Sequence, residues 1–147
     1  HGGRGRKCLL CPRLREGSSF SSTFTGLSYK MKHNLTCKST YVIYLITCRS
    51  CQKQYTGKTT QYMHLRHGGH RSEVENESSE LGEHFAHCGI GNMSIQIIDC
   101  VNPGEDEALS ILEGYWQNIL ATFQANNGNI NIRNEWKHYM GQQPIFF

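Results

Sequence analysis

The chain has 147 residues and a mass of 16.8 kDa, the length of one ordinary domain or of a compact domain with a small stapled appendage, which excludes a large multidomain machine. Apolar residues make up 37% and charged residues 18%, with 15 Gly and 3 Pro, so collagen, a low-complexity linker and a fully disordered tail are poor fits. The net charge of +3 hides an asymmetry: residues 1–71 hold 13 Lys and Arg against the single acid Glu16, residues 72–147 hold 2 against 11 acids, and the halves therefore carry +12 and −9. A basic half suits a polyanion, whose phosphates supply most of the affinity, while an acidic half can fold back on it or hold a metal. Two solvated faces that neutralise one another are the plainer alternative. Apolar runs fall far short of the roughly 20 residues of a membrane helix, so a soluble protein without a membrane partner is expected. Residue 1 is His1 rather than Met and no charged-then-apolar leader follows, as expected of a piece of a longer polypeptide whose targeting signals lie elsewhere.

In chain order, residues 1–36 are rich in Gly, Ser, Thr and basic side chains with weak periodicity, which predicts an irregular lead-in stapled by Cys8-Leu-Leu-Cys11. Thr40-Tyr-Val-Ile-Tyr-Leu-Ile-Thr47 is β-branched and aromatic and predicts a strand, with Lys53–Gly57 as a second, shorter one. If Arg49-Ser50 forms a two-residue hairpin loop, Cys48 faces Cys51 and Tyr44 faces Tyr55, all four on one side of the sheet. Thr59 or Thr60 is the expected cap of a helix running to about Asn76, with Met63, Arg66 and His70 near one face and a potential break at Gly68-Gly69. A short helix is expected over Glu80–Cys88, a third strand over Ser94–Asp99, and a helix over Glu105–Phe123 with acids in its first turn. Leu109, Leu112, Tyr115, Trp116 and Ile119 make the apolar stripe of that last helix, with Glu113 at its edge. Gly128–Asn131 reads as a loop.

The whole reads as an α+β domain: a small, mostly antiparallel three-stranded sheet flanked by helices over residues 39–136, preceded by a basic, zinc-binding extension over 1–38 and followed by a tail over 137–147. Seven cysteines, an odd number, include two Cys-x-x-Cys pairs among eight histidines, a pattern that favours tetrahedral zinc over disulfides. Cys8 and Cys11 with His33 and Cys37 have suitable spacing for one ion. A single four-cysteine site joining Cys8 and Cys11 to Cys48 and Cys51 competes with it.

Val42-Ile43-Tyr44, ten residues, then Tyr55-Thr56-Gly57 resembles the paired signature of GIY-YIG nucleases, and Arg66, Glu113 and Asn131 fall in the order that family uses. More narrowly, Tyr41-Val-Ile-Tyr-Leu-Ile-Thr-Cys-Arg-Ser-Cys-Gln-Lys-Gln-Tyr-Thr-Gly-Lys-Thr59, with Leu65-Arg66 and His70-Arg71 after it, resembles the endonuclease domain of Penelope-like retroelements, which place two cysteines between the halves of the signature. The similarity covers about Cys37 to Asn134. Val42 stands where the family has its first Gly, Thr56 where it has an aliphatic residue, and Gly128-Asn-Ile-Asn131 is one residue longer than the usual ending, so Asn129 and Asn131 compete for one role.

The resemblance implies divalent-metal-dependent hydrolysis of DNA phosphodiester bonds, nicking a target duplex so that the 3′ hydroxyl primes a reverse transcriptase domain of the same polypeptide copying the element RNA, and hence a nuclear location. It implies Tyr44, with Tyr55, assisting water activation, Arg66 stabilising phosphate charge, and Glu113 holding Mg²⁺ or Mn²⁺. His70, one turn beyond Arg66, could exchange a proton with Tyr44 or bind phosphate; Asn131 would orient substrate or a neighbour; Lys58 and Arg71 would contact DNA. It further points to zinc on Cys48 and Cys51 with a later His pair, His84 and His87, for one of which Cys88 could substitute. Arg4, Arg6, Lys7, Arg13 and Arg15 would help hold DNA. Two alternatives stand beside this reading: a non-catalytic zinc-dependent nucleic-acid-binding module, and a host repair or junction-cutting nuclease of the same fold.

Overall fold

The computed structural model describes residues 8–15, 17–123 and 129–131. Arg4, Arg6, Lys7 and the expected tail over 137–147 lie outside them. The elements are β1 (Ser19–Ser21), β2 (Ser28–Lys30), β3 (Val42–Cys48), β4 (Gln54–Thr59), α1 (Met63–Asn76), α2 (Ser79–Cys88), β5 (Met93–Cys100) and α3 (Asp106–Leu120), with 3₁₀ turns at Cys11–Arg13 and Ile90–Asn92. This is an α+β arrangement built on a three-stranded antiparallel sheet of order β4-β3-β5. No helix among the described residues is long and apolar enough to cross a membrane.

β3 is central and every one of its seven residues is buried, which is why it reads as an unbroken apolar run rather than an alternating one. The side-chain period of two splits it between two cores. Val42, Tyr44, Ile46 and Cys48 join Met63, Leu81, Phe85 and Ile95 on the side of α1 and α2. Ile43 and Leu45 join Leu109, Leu112, Trp116 and Leu120 of α3 on the other.

The β3–β4 hairpin corrects the expected pairing. Its loop is Arg49–Gln52, closed by the Cys48 amide on the Lys53 carbonyl at 2.9 Å, and Gln52 takes the left-handed conformation at φ 66°. A two-residue loop of the favoured type needs positive φ at both central positions, which Arg49 and Ser50 disfavour, whereas a longer loop needs it once. The register slides accordingly, Tyr44 pairing with Gly57 and Ile46 with Tyr55. A slide by two positions preserves faces, so both tyrosines still share one side of the sheet, now on a diagonal. Cys51 leaves the ladder and sits in the loop.

Capping of α1 also differs from expectation. No side chain caps it; Thr59 instead accepts a bond from the Gln61 amide, and the first helical donors, Met63 N–H and His64 N–H, reach the carbonyls of Ser39 and Cys37 at 3.0 and 2.9 Å. Gly68-Gly69 does not break the helix. α2 packs tightly on α1 because residue 82 is glycine: a Cβ there would collide with the Glu73 carbonyl.

The described residues between 8 and 38 are less irregular than expected and pack into both cores. Leu10 is buried under α1 and α2, and the β1–β2 hairpin lays Phe20 and Tyr29 edge-on against Trp116, with centroids 5.1 and 5.5 Å away. Three-residue strands with serines are too short to show a period.

Both sheet edges are covered. Leu14 bridges Ile95 beside β5, and Arg15 N–H donates to the Ile95 carbonyl at 2.7 Å. Along β4, Asn129 and Asn131 stand in for a fourth strand. Asn129 Oδ1 accepts from the Gln54 amide at 2.9 Å, while Asn131 accepts from the Thr56 amide at 2.7 Å and donates to the Thr56 carbonyl at 3.0 Å. The two asparagines therefore do not compete for one role; each fills its own rung. Asn131 also accepts from the Thr122 hydroxyl at 2.7 Å, so its amide is committed to the scaffold rather than to substrate. Asn131→Ala should strip buried Thr56 of its partners and cost about 2 to 4 kcal/mol in urea unfolding followed by circular dichroism.

Candidate active site and metal centres

The inner face of α1 is unusual for a helix packed on a core, since its buried residues are Met63, His67 and His70. Placing imidazoles where aliphatic side chains would pack best sacrifices burial energy and puts titratable groups on that face. Tyr44, fully buried at 0% exposure, points from β3 toward it. Its Oη lies 2.6 Å from His70 Nε2, and the ring centroids of Tyr44, Tyr55 and His70 are mutually 5.6 to 6.4 Å apart. Gly57 makes this possible. A Cβ on residue 57 would stand 2.6 Å from both Cζ and Oη of Tyr44 and 2.8 Å from Tyr55, so the phenol lies across a strand position that has no side chain.

The chain of contacts continues past His70. Its Nδ1 lies 3.2 Å from Glu73 Oε1, which also accepts the Ser79 hydroxyl at 2.9 Å, while Glu73 Oε2 receives Arg66 Nη1 at 3.3 Å. Arg66 is about a third exposed and so reaches solvent from the rim of the buried cluster. Burial drives the Tyr44 and Tyr55 phenols above their ordinary value; Arg66 opposes this, and the charge of Glu113 adds to it. Glu113, 7% exposed on α3, is thus within electrostatic reach of both rings. Burial lowers His70, leaving a neutral imidazole at pH 7, and the His70 hydrogen bond holds the Glu73 carboxyl down to about 2.

Tyr44, Tyr55, Arg66 and His70 are therefore brought together as expected, with the field of Glu113 acting on the two phenols. Lys58 turns to the opposite face, its ammonium on the Ser110 hydroxyl of α3. Arg71 departs from the cluster: its charge acts on His67 and Arg13 instead. Glu73 and Ser79 escaped the sequence reading. The signal was available, for Glu73 stands three residues beyond His70 and seven beyond Arg66, on one helical face.

Two groups of soft ligands lie apart from this cluster. Cys48, Cys51, His84 and Cys88 place one donor atom each within 4.8 Å of all the others. Cys51 Sγ and His84 Nε2 are 3.4 Å apart, close to the edge of about 3.5 Å expected of a tetrahedron with zinc–sulfur bonds of about 2.3 Å and zinc–nitrogen bonds of about 2.0 Å. Cys88 occupies the place expected of His87, which is exposed; both end α2, but the thiol is the one that faces the hairpin loop. Cys8, Cys11 and Cys37 form the second group. Cys11 Sγ and Cys37 Sγ are 3.7 Å apart, again a tetrahedral edge, and the Cys11 amide donates to Cys8 Sγ at 3.3 Å. His33 is not among them: its Nε2 is 3.3 Å from Asp99 Oδ1. The two groups are separate, so the single four-cysteine site is not formed. Burial, with Cys8 and Cys37 beside it, pushes the Cys11 thiol up to about 12. Both groups could hold a metal such as zinc.

Compared with protein-family models, with curated proteins and with solved structures, the chain matches none.

His67 has a thermodynamic consequence. It is 1% exposed, its Nε2 has no hydrogen-bond partner among the described residues, and burial, then the charges of Arg13, Arg71 and His70, push it down to about 4. A base lowered on folding binds its proton more readily in the unfolded chain, so its contribution is complete above pH 6.5 and is lost as pH falls toward 4. Urea unfolding between pH 7 and 4 should reveal a decline to which His67 contributes on the order of 3 kcal/mol, and His67→Gln should remove that share.

Proposed function

We propose that the protein is a divalent-metal-dependent DNA endonuclease of the GIY-YIG type, similar to the nicking enzyme of Penelope-like retroelements. The observation that carries this reading is the 2.6 Å contact of buried Tyr44 Oη with His70 Nε2, with Arg66 at the solvent rim and the charge of Glu113 acting on both phenols. A phenol near pKa 10 is a poor base at neutral pH, and burial makes it poorer; an unprotonated imidazole on its oxygen is what such a phenol needs to activate water. Tyr44, relieved of its proton by His70, takes one from the attacking water. The resulting hydroxide adds to phosphorus as the P–O3′ bond breaks, and the leaving 3′ oxygen is protonated by solvent. Arg66, with its planar fork, suits the charge that spreads over the phosphate oxygens. Tyr55 packs beside the Tyr44 and His70 rings and holds the cluster together. Glu113 is a hard oxygen donor whose charge reaches both phenols; it would hold Mg²⁺ or Mn²⁺, which would neutralise charge on the phosphate and its leaving oxygen.

Zinc belongs to the scaffold in this reading. Four protein ligands at Cys48, Cys51, His84 and Cys88 leave no open position for a reacting water. The partners are a target duplex, the element RNA and a reverse transcriptase domain of the same polypeptide, which would extend the new 3′ hydroxyl in the nucleus. The charges of Arg49 and Arg71 both act on half-buried Arg13, and this basic group would suit backbone phosphate.

A supercoiled-plasmid assay with Mg²⁺ or Mn²⁺ decides the matter. The parent should nick, leaving an extendable 3′ hydroxyl, and Tyr44→Phe, Arg66→Ala and Glu113→Ala should each cut at least about 100-fold more slowly while staying folded. Binding without scission would instead mark a nucleic-acid-binding module, and a strong preference for branched over linear duplex would mark a junction nuclease. For the scaffold ions, elemental analysis after dialysis should find zinc, and Cys51→Ser should lose one ion per chain and lower the urea midpoint. A folded protein without zinc would refute the assignment.

A further inference from the structure

We propose that Glu73 is a positioning residue, the third member of a Tyr44–His70–Glu73 proton relay, and that it fixes His70 in the one tautomer able to accept the phenol proton. A neutral imidazole carries a hydrogen on one nitrogen and a lone pair on the other, and which is which depends on its partners. Here the partners are unequal. Ionised Glu73 can only accept, so its Oε1 at 3.2 Å from Nδ1 requires the hydrogen to be there. Nε2 is then left with its lone pair, facing Tyr44 Oη at 2.6 Å, and the phenol is bound to be the donor. His70 is 0% exposed, so water cannot exchange one tautomer for the other without opening the core.

Glu73 is itself held from three sides. The Ser79 hydroxyl at the start of α2 donates to Oε1 at 2.9 Å, and Arg66 reaches Oε2 at 3.3 Å. Ser79 is oriented in turn, its Oγ accepting the Gly82 amide at 3.1 Å. The charged and titratable groups around His70 are Tyr44 on β3, Tyr55 on β4, Arg66, His67 and Glu73 on α1 and Glu80 on α2. Among them Glu73 is the acid that touches the ring, and one carboxylate ties the proton acceptor to the guanidinium at the rim.

The bookkeeping of the step closes without protonating Glu73. The Oη–H proton moves to Nε2, giving phenolate and an imidazolium whose second N–H stays on Glu73. The phenolate takes a proton from the attacking water and passes it on to solvent as His70 returns its own to Oη. The carboxylate stabilises the imidazolium while it lasts.

The catalytic consequence rests on the nuclease reading, but the tautomer does not, and the two are tested separately. Long-range ¹H–¹⁵N correlation on the full chain labelled with ¹⁵N-histidine at pH 7 should show His70 protonated at Nδ1 and bare at Nε2, and Glu73→Ala should abolish that preference. Protonation at Nε2 in the parent, or an unchanged tautomer in Glu73→Ala, would overturn the proposal whether or not the protein cuts DNA. In single-turnover nicking with Mn²⁺, Glu73→Ala should slow strand scission about 100-fold at unchanged DNA affinity, and Glu73→Gln, which retains an acceptor but no charge, should recover part of the loss. Glu73→Ala cutting at the parental rate also overturns it. Should Glu73→Ala not fold, Glu73→Gln serves in its place: Nδ1 protonation with a rate below the parent supports the relay, and an undiminished rate refutes it. A parent that cuts nothing refutes the nuclease reading alone, leaving the tautomer to decide the relay.

Discussion

The 2.6 Å approach of a buried phenol to a buried imidazole constrains almost every neighbouring choice in this fold. For Tyr44 to reach across β4, position 57 must have no side chain; for His70 to meet it, α1 must turn polar residues inward where a helix of this size would ordinarily bury leucine. Neither group is tolerable alone in a core, since an unpartnered buried hydroxyl or imidazole costs a few kcal/mol. Together with Glu73 they satisfy one another, and the network extends to Ser79 and Arg66 before it reaches water. The cluster is therefore a structural unit as much as a chemical one, and disturbing one member exposes the rest.

That arrangement leaves α1 weakly attached by ordinary hydrophobic contact, and other devices hold it. The helix start takes its hydrogen bonds from the carbonyls of Cys37 and Ser39, so the segment that carries Cys37 into the Cys8–Cys11–Cys37 group also sets the position of the first turn. At the far end, α2 packs against α1 through Gly82 and ends in Cys88, a member of the group that includes Cys48 on β3 and Cys51 in the hairpin loop. The two thiol groups thus hold the helical layer at two points, beside the start of α1 and at the end of α2. An ion in each would replace, by coordination, the attachment that the buried histidines forgo.

Much of this was legible from the sequence, and the failures have physical causes. β3, α2, β5 and α3 follow from local pattern, each within a few residues of its boundaries, because a β-branched run and a 3.6-residue stripe declare themselves without tertiary context. The pairing of β3 with β4 was off by two positions because turn length is decided by backbone strain at Arg49 and Ser50, which composition does not display. The cap of α1 does not show in local sequence because its partners, Ser39 and Cys37, are more than twenty residues away. Tyr44, Arg66 and His70 were found through motif spacing, whereas Glu73 resembled any surface acid on a charged helix until its neighbours were known. Asn129 and Asn131 were expected to compete because a motif supplies one slot, while a strand edge has several.

The edge formed by those asparagines bears on the site as well as on the sheet. β4 carries both Tyr55 and Gly57, the residues that wall and admit the Tyr44 ring, and as an edge strand it would be free to fray or to shift register. A shift by even one residue would put a Cβ under the phenol and turn Tyr55 to the opposite face. Side-chain amides at the Gln54 and Thr56 rungs pin the register while offering no continuous backbone ladder to another chain. The hydroxyl of Thr122, bonded at once to Asn131 Oδ1 and Thr56 Oγ1, ties the same rung to the end of α3, the helix that bears Glu113. Strand register, phenol clearance and carboxylate position are in this way fixed by one hydrogen-bond group at the edge of the sheet, remote from any contact with substrate.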